Sequence, residues 1–429
     1  MTVNKTEVKD TTEANSPVLL GKLDISQAGF RNKMLLGDLN SDGKMEILMV
    51  QPDGGIDDRY VPHQVQCLTA FDLQGNLIWQ VGTPDEDAGG PGSDYPAQIY
   101  DIDGDGHNEV LCVMNKRFFI LEGSTGSVKK VYDLPDPEAH DCIIIANLTG
   151  KAFPQDIILK DRYKKMWAFD KDFNLLWTHS GNIGHFPWAS DINGDGYDEV
   201  MAGYDLLDHN GSVLWSCQDL DDHADCIWVS RVEGTDEKEL VIGGSVTVKY
   251  DKNGRELWRY TGSIESQHVS LGKFRQDLPG LQVAGLDRII RGDVGGTKPG
   301  KDGLFLLDAD GNELWKEDRQ TPGWLTIIET LRHWDDEDVD YILAYRRGGG
   351  INPTIYDGYM NPVVSFPVDG YVVHGDLLNQ GHEQVIIYNN EIAYIYGDQL
   401  IDLKSSGTDR TIPQSRRLYS STLYPGGEY

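Results

Sequence analysis

Three stretches share one layout: GDLNSDGKMEILMV at 37–50, YDIDGDGHNEVLCV at 100–113 and SDINGDGYDEVMAG at 190–203. Each is an apolar segment, an Asp-rich turn and a second apolar segment. Weaker copies of the shape occupy 145–159, 230–243, 272–285, 329–344 and 374–387, which makes eight. A second unit follows most of them. DLQGNLIW ends at Trp79, DKDFNLLW at Trp177, DHNGSVLW at Trp215, DKNGRELW at Trp258 and DADGNELW at Trp315. A tight turn, usually holding Gly, between two short apolar runs is hairpin chemistry. One period is therefore strand A, Asp-rich turn, strand B, loop, strand C, Gly turn, and strand D closed by Trp. Four short antiparallel strands repeated about every 40–60 residues describe a propeller blade.

The fold class expected is all-β: a single β-propeller of eight four-stranded antiparallel blades, with seven blades as the alternative. Inner strands should begin near residues 31, 95, 141, 183, 223, 266, 322 and 370. No stretch has helical periodicity. Residues 1–16 read as a polar tail and 17–429 as one domain. The spare strand 17–24 should complete the last blade, and the ending RLYSSTLYPGGEY should pack on that seam.

The chain has 429 residues with 38 Lys plus Arg against 69 Asp plus Glu, a net charge of −31. That excess repels phosphate backbones and anionic lipid, which argues against nucleic acid and membranes as partners. A hydrophobic fraction of 39% supports a packed core. No apolar run is long enough to cross a membrane as a helix. Five scattered cysteines fit reduced thiols, not a disulfide framework. The N-terminus shows no apolar signal core, so a cytoplasmic monomer is expected. A secreted form with its signal already removed is the alternative.

The three best turns follow D-x-[DN]-x-D-G-x-x-E. Their candidate ligands are Asp38, Asn40, Asp42 and Glu46; Asp101, Asp103, Asp105 and Glu109; and Asp191, Asn193, Asp195 and Glu199. Oxygens at positions one, three, five and nine suit a hard cation, so structural Ca²⁺ is expected. The plain alternative is an Asx-turn, in which Asp caps its own backbone. The turns resemble the calcium loops of integrin-type FG-GAP propellers.

In a blade, the A–B and C–D turns share one end and the D–A and B–C loops share the other. D–A loops carry Tyr95, His140, His185, His223, His268 and Trp324, and B–C loops carry Arg162, Tyr163, Arg288, Arg291, Arg346 and Arg347. Histidine, Tyr and Arg around one mouth suit an acidic ligand, and aromatic rings suit a sugar. Each residue alone also fits a plain structural role, as a hydrogen-bonded corner or a surface ion pair. Cys217, His223 and Cys226 are spaced C-x5-H-x2-C with His209 upstream. Zinc there is not expected, because His209 falls on a C–D turn at the opposite end.

The segment SQHVSLGKFRQDLPGLQVAGLD at 266–287 resembles part of the rhamnogalacturonan lyases of the propeller type. DDHADCIWV at 221–229 is similar to their inner-strand His segment, and the C-terminal ending resembles the tails of related propeller lyases. Ulvan lyases and rhamnose–glucuronate-cleaving propellers are similar in architecture. The resemblance implies β-elimination at a uronic acid in a rhamnose/uronate oligosaccharide. It implies His223 and His268 as base and acid, with His140, His185, Tyr95 and Tyr163 as second choices. Arg288 or Arg291, and Arg346 or Arg347, would neutralise the uronate carboxylate. Lys273 stands where the family has Asp, so this blade should lack a calcium turn. A hydrolase releasing rhamnose from glucuronate, or a non-catalytic carbohydrate-binding propeller, are the alternatives.

Overall fold

The computed structural model describes residues 15–53, 63–85, 96–290, 300–321, 326–346, 350–405, 415–420 and 426–429. Tyr95, Arg291, Trp324 and Arg347 lie outside the described residues. The chain is all-β. A short 3₁₀ turn at Ser26–Ala28 is the sole helical element among the described residues, and no helix is long and apolar enough to cross a membrane.

After β1 (Val18–Asp24), the strands pair in groups of four. The first group is β2 (Lys33–Gly37), β3 (Glu46–Pro52), β4 (Val65–Phe71) and β5 (Leu77–Gly82). The second is β6 (Ala97–Tyr100), β7 (Glu109–Met114), β8 (Arg117–Glu122) and β9 (Val128–Asp133); one parallel pair, Val65 with Met114, joins it to the first. Next come β10 (Cys142–Ala146), β11 (Asp156–Lys160), β12 (Lys165–Phe169) and β13 (Leu175–Ser180), then β14 (Trp188–Ser190), β15 (Glu199–Ala202), β16 (Asp205–Leu207) and β17 (Val213–Ser216). A fifth group holds β18 (Cys226–Arg231), β19 (Lys238–Gly243), β20 (Thr247–Asp251) and β21 (Glu256–Tyr260). A sixth holds β22 (Ser266–Gly272), β23 (Gln282–Ile290), β24 (Gly300–Leu307) and β25 (Glu313–Thr321). A seventh holds β26 (Thr326–Leu331), β27 (Tyr341–Arg346), β28 (Thr354–Tyr356) and β29 (Pro362–Ser365). The last sheet is β30 (Tyr371–Gly375), β31 (Gln384–Tyr388) and β32 (Ile392–Gly397), with β1 as its fourth strand, antiparallel to β32.

Within each group successive strands pair antiparallel. The first strand of each group contacts the first strand of the next, from β2 through β6, β10, β14, β18, β22 and β26. Beyond that, β27 touches β30 and β30 touches β2. The sequence pattern explains which strands lie inside. β3, β7, β10 and β22 are buried at every position; the first three are near-continuous apolar runs, whereas β22 also buries Ser266, Gln267, His268 and Ser270. The fourth strands β9 and β13 instead alternate exposed and half-buried residues.

The Trp residues do not close the fourth strands as the sequence pattern suggested. Each lies inside its strand, and Trp79, Trp177, Trp215 and Trp258 bond to the turn of the following group. Trp79 Nε1 donates to Gly123 O at 2.7 Å, Trp177 to His209 O at 2.8 Å, Trp215 to Lys252 O at 3.1 Å and Trp258 to Ala309 O at 2.9 Å. The indole lies flat against a left-handed glycine of that turn: Gly126, Gly211, Gly254 and Gly311 respectively. Two groups lack the glycine: the seventh has Met360 (φ 62°) at that turn position and the third has Phe173. The third group carries Phe173 at the left-handed turn position, and the strand before it, β9, has no Trp; Phe173 stacks on its Tyr132 instead, centroids 4.6 Å apart.

The described part of the C-terminal ending lies against inner strands. Tyr419 O accepts from Leu36 N, and Gly427 and Glu428 pair parallel with Trp228 and Val229 of β18.

Candidate active site

The D–A and B–C loops of the third to sixth groups meet at one end. Their backbones bond to one another: Ile183 N donates to Tyr163 O at 3.0 Å, and His185 N to Ala224 O at 3.0 Å. These bonds bring His185, His223 and Tyr163 into mutual contact. The ring centroids are 4.8 Å apart for His185 and His223, 5.2 Å for Tyr163 and His185, and 5.0 Å for Tyr163 and His223. Asp225 lies beneath the pair, 3% exposed. Its Oδ1 is 3.5 Å from Nε2 of His185 and 3.5 Å from Nε2 of His223. The other nitrogen of His223, Nδ1, is 2.5 Å from Asp222 Oδ1.

The electrostatics follow from burial and these neighbours. Burial raises the Asp225 carboxyl to about 6, against the opposing pull of His223. Burial also works against a charged His223, but Asp225 and Asp222 outweigh it and the imidazole pKa is raised. Burial pushes the Tyr163 phenol up to about 12 and raises that of Tyr204 as well, so both hydroxyls stay protonated near neutrality. The arginines flanking the cluster are already paired. Arg162 Nη1 and Lys160 Nζ each lie 2.5 Å from Asp141, and the buried Asp141 stays below the usual carboxylate range because those two cations outweigh its desolvation. Arg288 forms a two-point pair with Glu265 and is close enough to Asp225 to act on its charge.

Other expected site residues are placed elsewhere. His268 was expected beside His223 at a solvent-facing mouth; it is 1% exposed. It sits inside β22 after a register shift and turns towards β26, where its Nδ1 accepts from Ile328 N at 3.4 Å. Burial lowers its pKa to about 3, so it is a neutral core imidazole. Arg346 is also internal: it pairs with Asp302 at 2.8 Å, both 1% exposed. His140 is buried beside Asp141, and its Nδ1 has no hydrogen-bond partner among the described residues. The C-x5-H-x2-C spacing does not make a cluster: the Cys226 thiol donates to Val269 O, and His209 packs against the Tyr197 ring at a tilt.

Asp225 was not anticipated, although a signal for it exists. Asp-Cys-Ile occurs twice at inner-strand starts, at 141–143 and 225–227. Both Asp residues occupy one register position, since Asp141 N donates to Lys160 O and Asp225 N to Gly243 O.

The Asp-rich turns lie at the other end of the strands. Asp38 accepts from the Asp42 and Gly43 amides, and Asp191 from those of Gly194, Asp195 and Gly196, as Asx-turns do. Glu46 and Glu199 accept from Leu39 N and Ile192 N, and burial raises their carboxyls to about 8 and about 7. In the second turn Asp101, Asp103 and Glu109 converge closely enough for one cation. There the Lys129 ammonium reaches Asp103 at 2.9 Å, Asp105 at 3.4 Å and Glu109 at 2.7 Å.

No family model matches the chain. A sequence relative is the rhamnogalacturonan exolyase YesX of Bacillus subtilis (strain 168), 22% identical over 245 residues; the match covers 43% of this chain and 40% of that protein's length. The crystal structure of YesX superposes with a TM-score of 0.64 at 17% identity, covering 91% of this chain and 76% of that one. A Bacillus licheniformis rhamnogalacturonan lyase, PL11, gives 0.63 at 16% identity, covering 98% and 80%. The chain is thus related in sequence and fold to polysaccharide lyases.

Proposed function

We propose that the protein is a lyase that cleaves a uronic-acid-containing oligosaccharide, of rhamnose/uronate type, by β-elimination. The observation that carries this reading is the His185–His223–Tyr163 cluster, flanked by Arg162 and Arg288, at one end of a chain related to rhamnogalacturonan lyases. The reaction has three needs. Positive charge at the uronate carboxylate makes the C5 proton acidic. A group must take that proton as the electron pair forms the C4=C5 double bond. A second transfer must protonate O4 as the C4–O4 bond breaks. The imidazole pair and Tyr163 are the groups that meet the sugar and serve these needs between them.

The supporting frame is an eight-bladed propeller. Its support is the division into eight four-strand groups, the succession of inner strands, and the pairing of β1 with β32. Structural Ca²⁺ in the first and third Asp-rich turns would offset the cost of burying Glu46 and Glu199 as carboxylates. In the second turn Lys129 provides charge of the same sign.

The test is a panel of uronate oligosaccharides followed by ultraviolet absorbance and by mass. Unsaturated product at the new end supports elimination. Products heavier by one water identify the hydrolase reading, and binding without turnover identifies the non-catalytic one. Carboxyl-reduced oligosaccharides should bind much more weakly; equal affinity would remove the carboxylate-neutralising role.

A further inference from the structure

We propose that a second site, separate from the imidazole cluster, binds a tetrahedral oxyanion between Arg332, Arg416 and Arg417: a phosphate or sulfate group, free or carried on a monosaccharide. The proposal is independent of the lyase reading. A cavity of about 240 Å³ lies between inner strands and the C-terminal segment, lined by these three arginines with Trp188, Trp228 and Glu428. At about 30 Å³ for each water, it has room for roughly eight. Arg332 follows β26, and Asp198, the partner of Arg416, precedes β15. Both stand in turns between a first and a second strand. The cavity therefore sits towards the Asp-rich turns and away from His185, His223 and Tyr163. On a chain of net charge −31, three guanidinium groups around one cavity reverse the sign locally and focus an anion there.

The carboxylates nearby do not use these groups up. Glu428 is held by Lys238 Nζ at 2.6 Å and Ser190 Oγ at 3.0 Å. Glu383 accepts from His374 Nδ1 at 2.8 Å and stands 3.7 Å from Arg417 Nη1. Asp198 accepts from the Asn147 amide as well as from Arg416. Arg332 has no carboxylate side chain of its own among the described residues. Its guanidinium stacks on the Tyr429 ring, 4.1 Å from the centroid, and Nη2 reaches Glu428 O only at 3.5 Å. Its Nε is buried with no hydrogen-bond partner among the described residues.

The tryptophans give a second, independent sign. Trp-Ala-Ser at 188–190 and Trp-Val-Ser at 228–230 occupy one register, since Ser190 pairs with Glu199 and Ser230 with Glu239. Trp188 and Trp228 thus stand at matching heights on neighbouring inner strands. Trp228 Nε1 donates to Val269 O at 2.8 Å. Trp188 is 6% exposed, and its Nε1 has no acceptor among the described residues. An indole N–H and a guanidinium N–H, both buried, therefore belong to the lining of one cavity without a protein acceptor. Native structures rarely leave such donors unpaired, because each forfeits its bond to water. An oxyanion presents acceptors on every side, and the planar Arg fork matches two of its oxygens at once. The indole rings suit a sugar carrying the group. Two of the arginines belong to the C-terminal segment and the third to the turn after β26, so a bound oxyanion also fastens that segment to the inner strands.

The experiment is a titration of the full chain with inorganic phosphate, sulfate and glucose 6-phosphate, with chloride holding the ionic strength constant. Calorimetry and Trp fluorescence read binding, and the melting temperature reads its linkage to folding. One saturable site and a rise in melting temperature that chloride does not reproduce are expected. Arg332→Gln should weaken binding at least tenfold, as loss of a charged hydrogen-bond partner does. Trp188→Phe keeps an aromatic ring, deletes the N–H and should weaken binding several-fold. Arg255→Gln, at a side chain 76% exposed on a third-to-fourth-strand turn, should leave it unchanged. Circular dichroism separates loss of site from loss of fold, and Trp188→Phe keeps the test informative if Arg332→Gln does not fold. Tighter binding of glucose 6-phosphate than of phosphate supports the site with a sugar on the indole faces; binding of the inorganic ions alone supports it for the free ion. No saturable binding beyond chloride, or equal affinity in wild type and both site variants, overturns it.

Discussion

Tyr163 faces both imidazoles, and its hydroxyl is the cheapest group to remove without disturbing them. Tyr163→Phe should cost roughly a hundredfold in turnover, the usual size of a general acid–base contribution. The ring remains, so the melting temperature should move little; a variant with full turnover on a uronate oligosaccharide would take Tyr163 out of the chemistry. His268 behaves in the opposite way. Its folded pKa is lowered to about 3, below the unfolded value of about 6.5. The unfolded chain therefore binds the extra proton first. The stability linked to neutral His268 is complete above about pH 6.5 and is lost as pH falls towards 3. Denaturant melts of His268→Asn should show a shallower loss on the acid side than wild type, with turnover per folded molecule retained. Parallel acid limbs would contradict the buried-neutral assignment. The contrast between His223 and His268 is one of depth. Three residues before β18 an imidazole reaches the mouth; three residues into β22 it belongs to the core.

Between elements, the Trp-on-glycine contact is the recurring unit. It joins the fourth strand of one group to the third-to-fourth turn of the next, through one N–H···O bond and one stacked face. Gly254 has φ 82°, and a Cβ there would meet Trp215 at 2.7 Å. Gly106 has φ 88° but open space around its Cβ direction. Gly106→Ala should cost only the left-handed backbone penalty, about 1–2 kcal/mol. Gly254→Ala should cost more, because the indole must also shift. Equal urea midpoints for the two variants would show that the Trp contact adds nothing. The hairpin signal in the sequence located these turns, since Gly at a fixed offset before a Trp is local information. That the Trp reaches forward into the neighbouring group is not local, and the sequence alone had it ending its own strand.

For the molecule as a whole, β1 is the strand whose partner is most remote in sequence, pairing with β32 over Val18–Asp24. Deleting residues through Asp24 would leave β32 as an open edge. A lower melting temperature and self-association on light scattering are expected; an unchanged monomeric melt would mean β1 is dispensable. If Ca²⁺ occupies the first and third turns, a calcium-selective chelator should lower the melting temperature, and Ca²⁺ should restore it. Identical melts would leave those turns as self-sufficient Asx-turns.

The all-β class and the positions of the inner strands were legible in the sequence because both are short-range: a short apolar run, an Asp-rich turn, a Gly. So was the end of the molecule on which His185, His223 and Tyr163 lie, since strand direction alternates along the chain. Which of those residues meet was decided by the tertiary structure. Whether an imidazole faces the mouth or the core depends on its depth along the strand and on a register shift near His268. Whether an arginine is available depends on carboxylates 21 to 44 residues away, as Asp141, Glu265 and Asp302 show. Asp225 became visible only when the strand registers placed it on Asp141 and set Gly243 against Lys160. Local pattern sets the strands, because backbone geometry is local; charge balance is a property of everything within a few ångströms, and only folding brings those groups together.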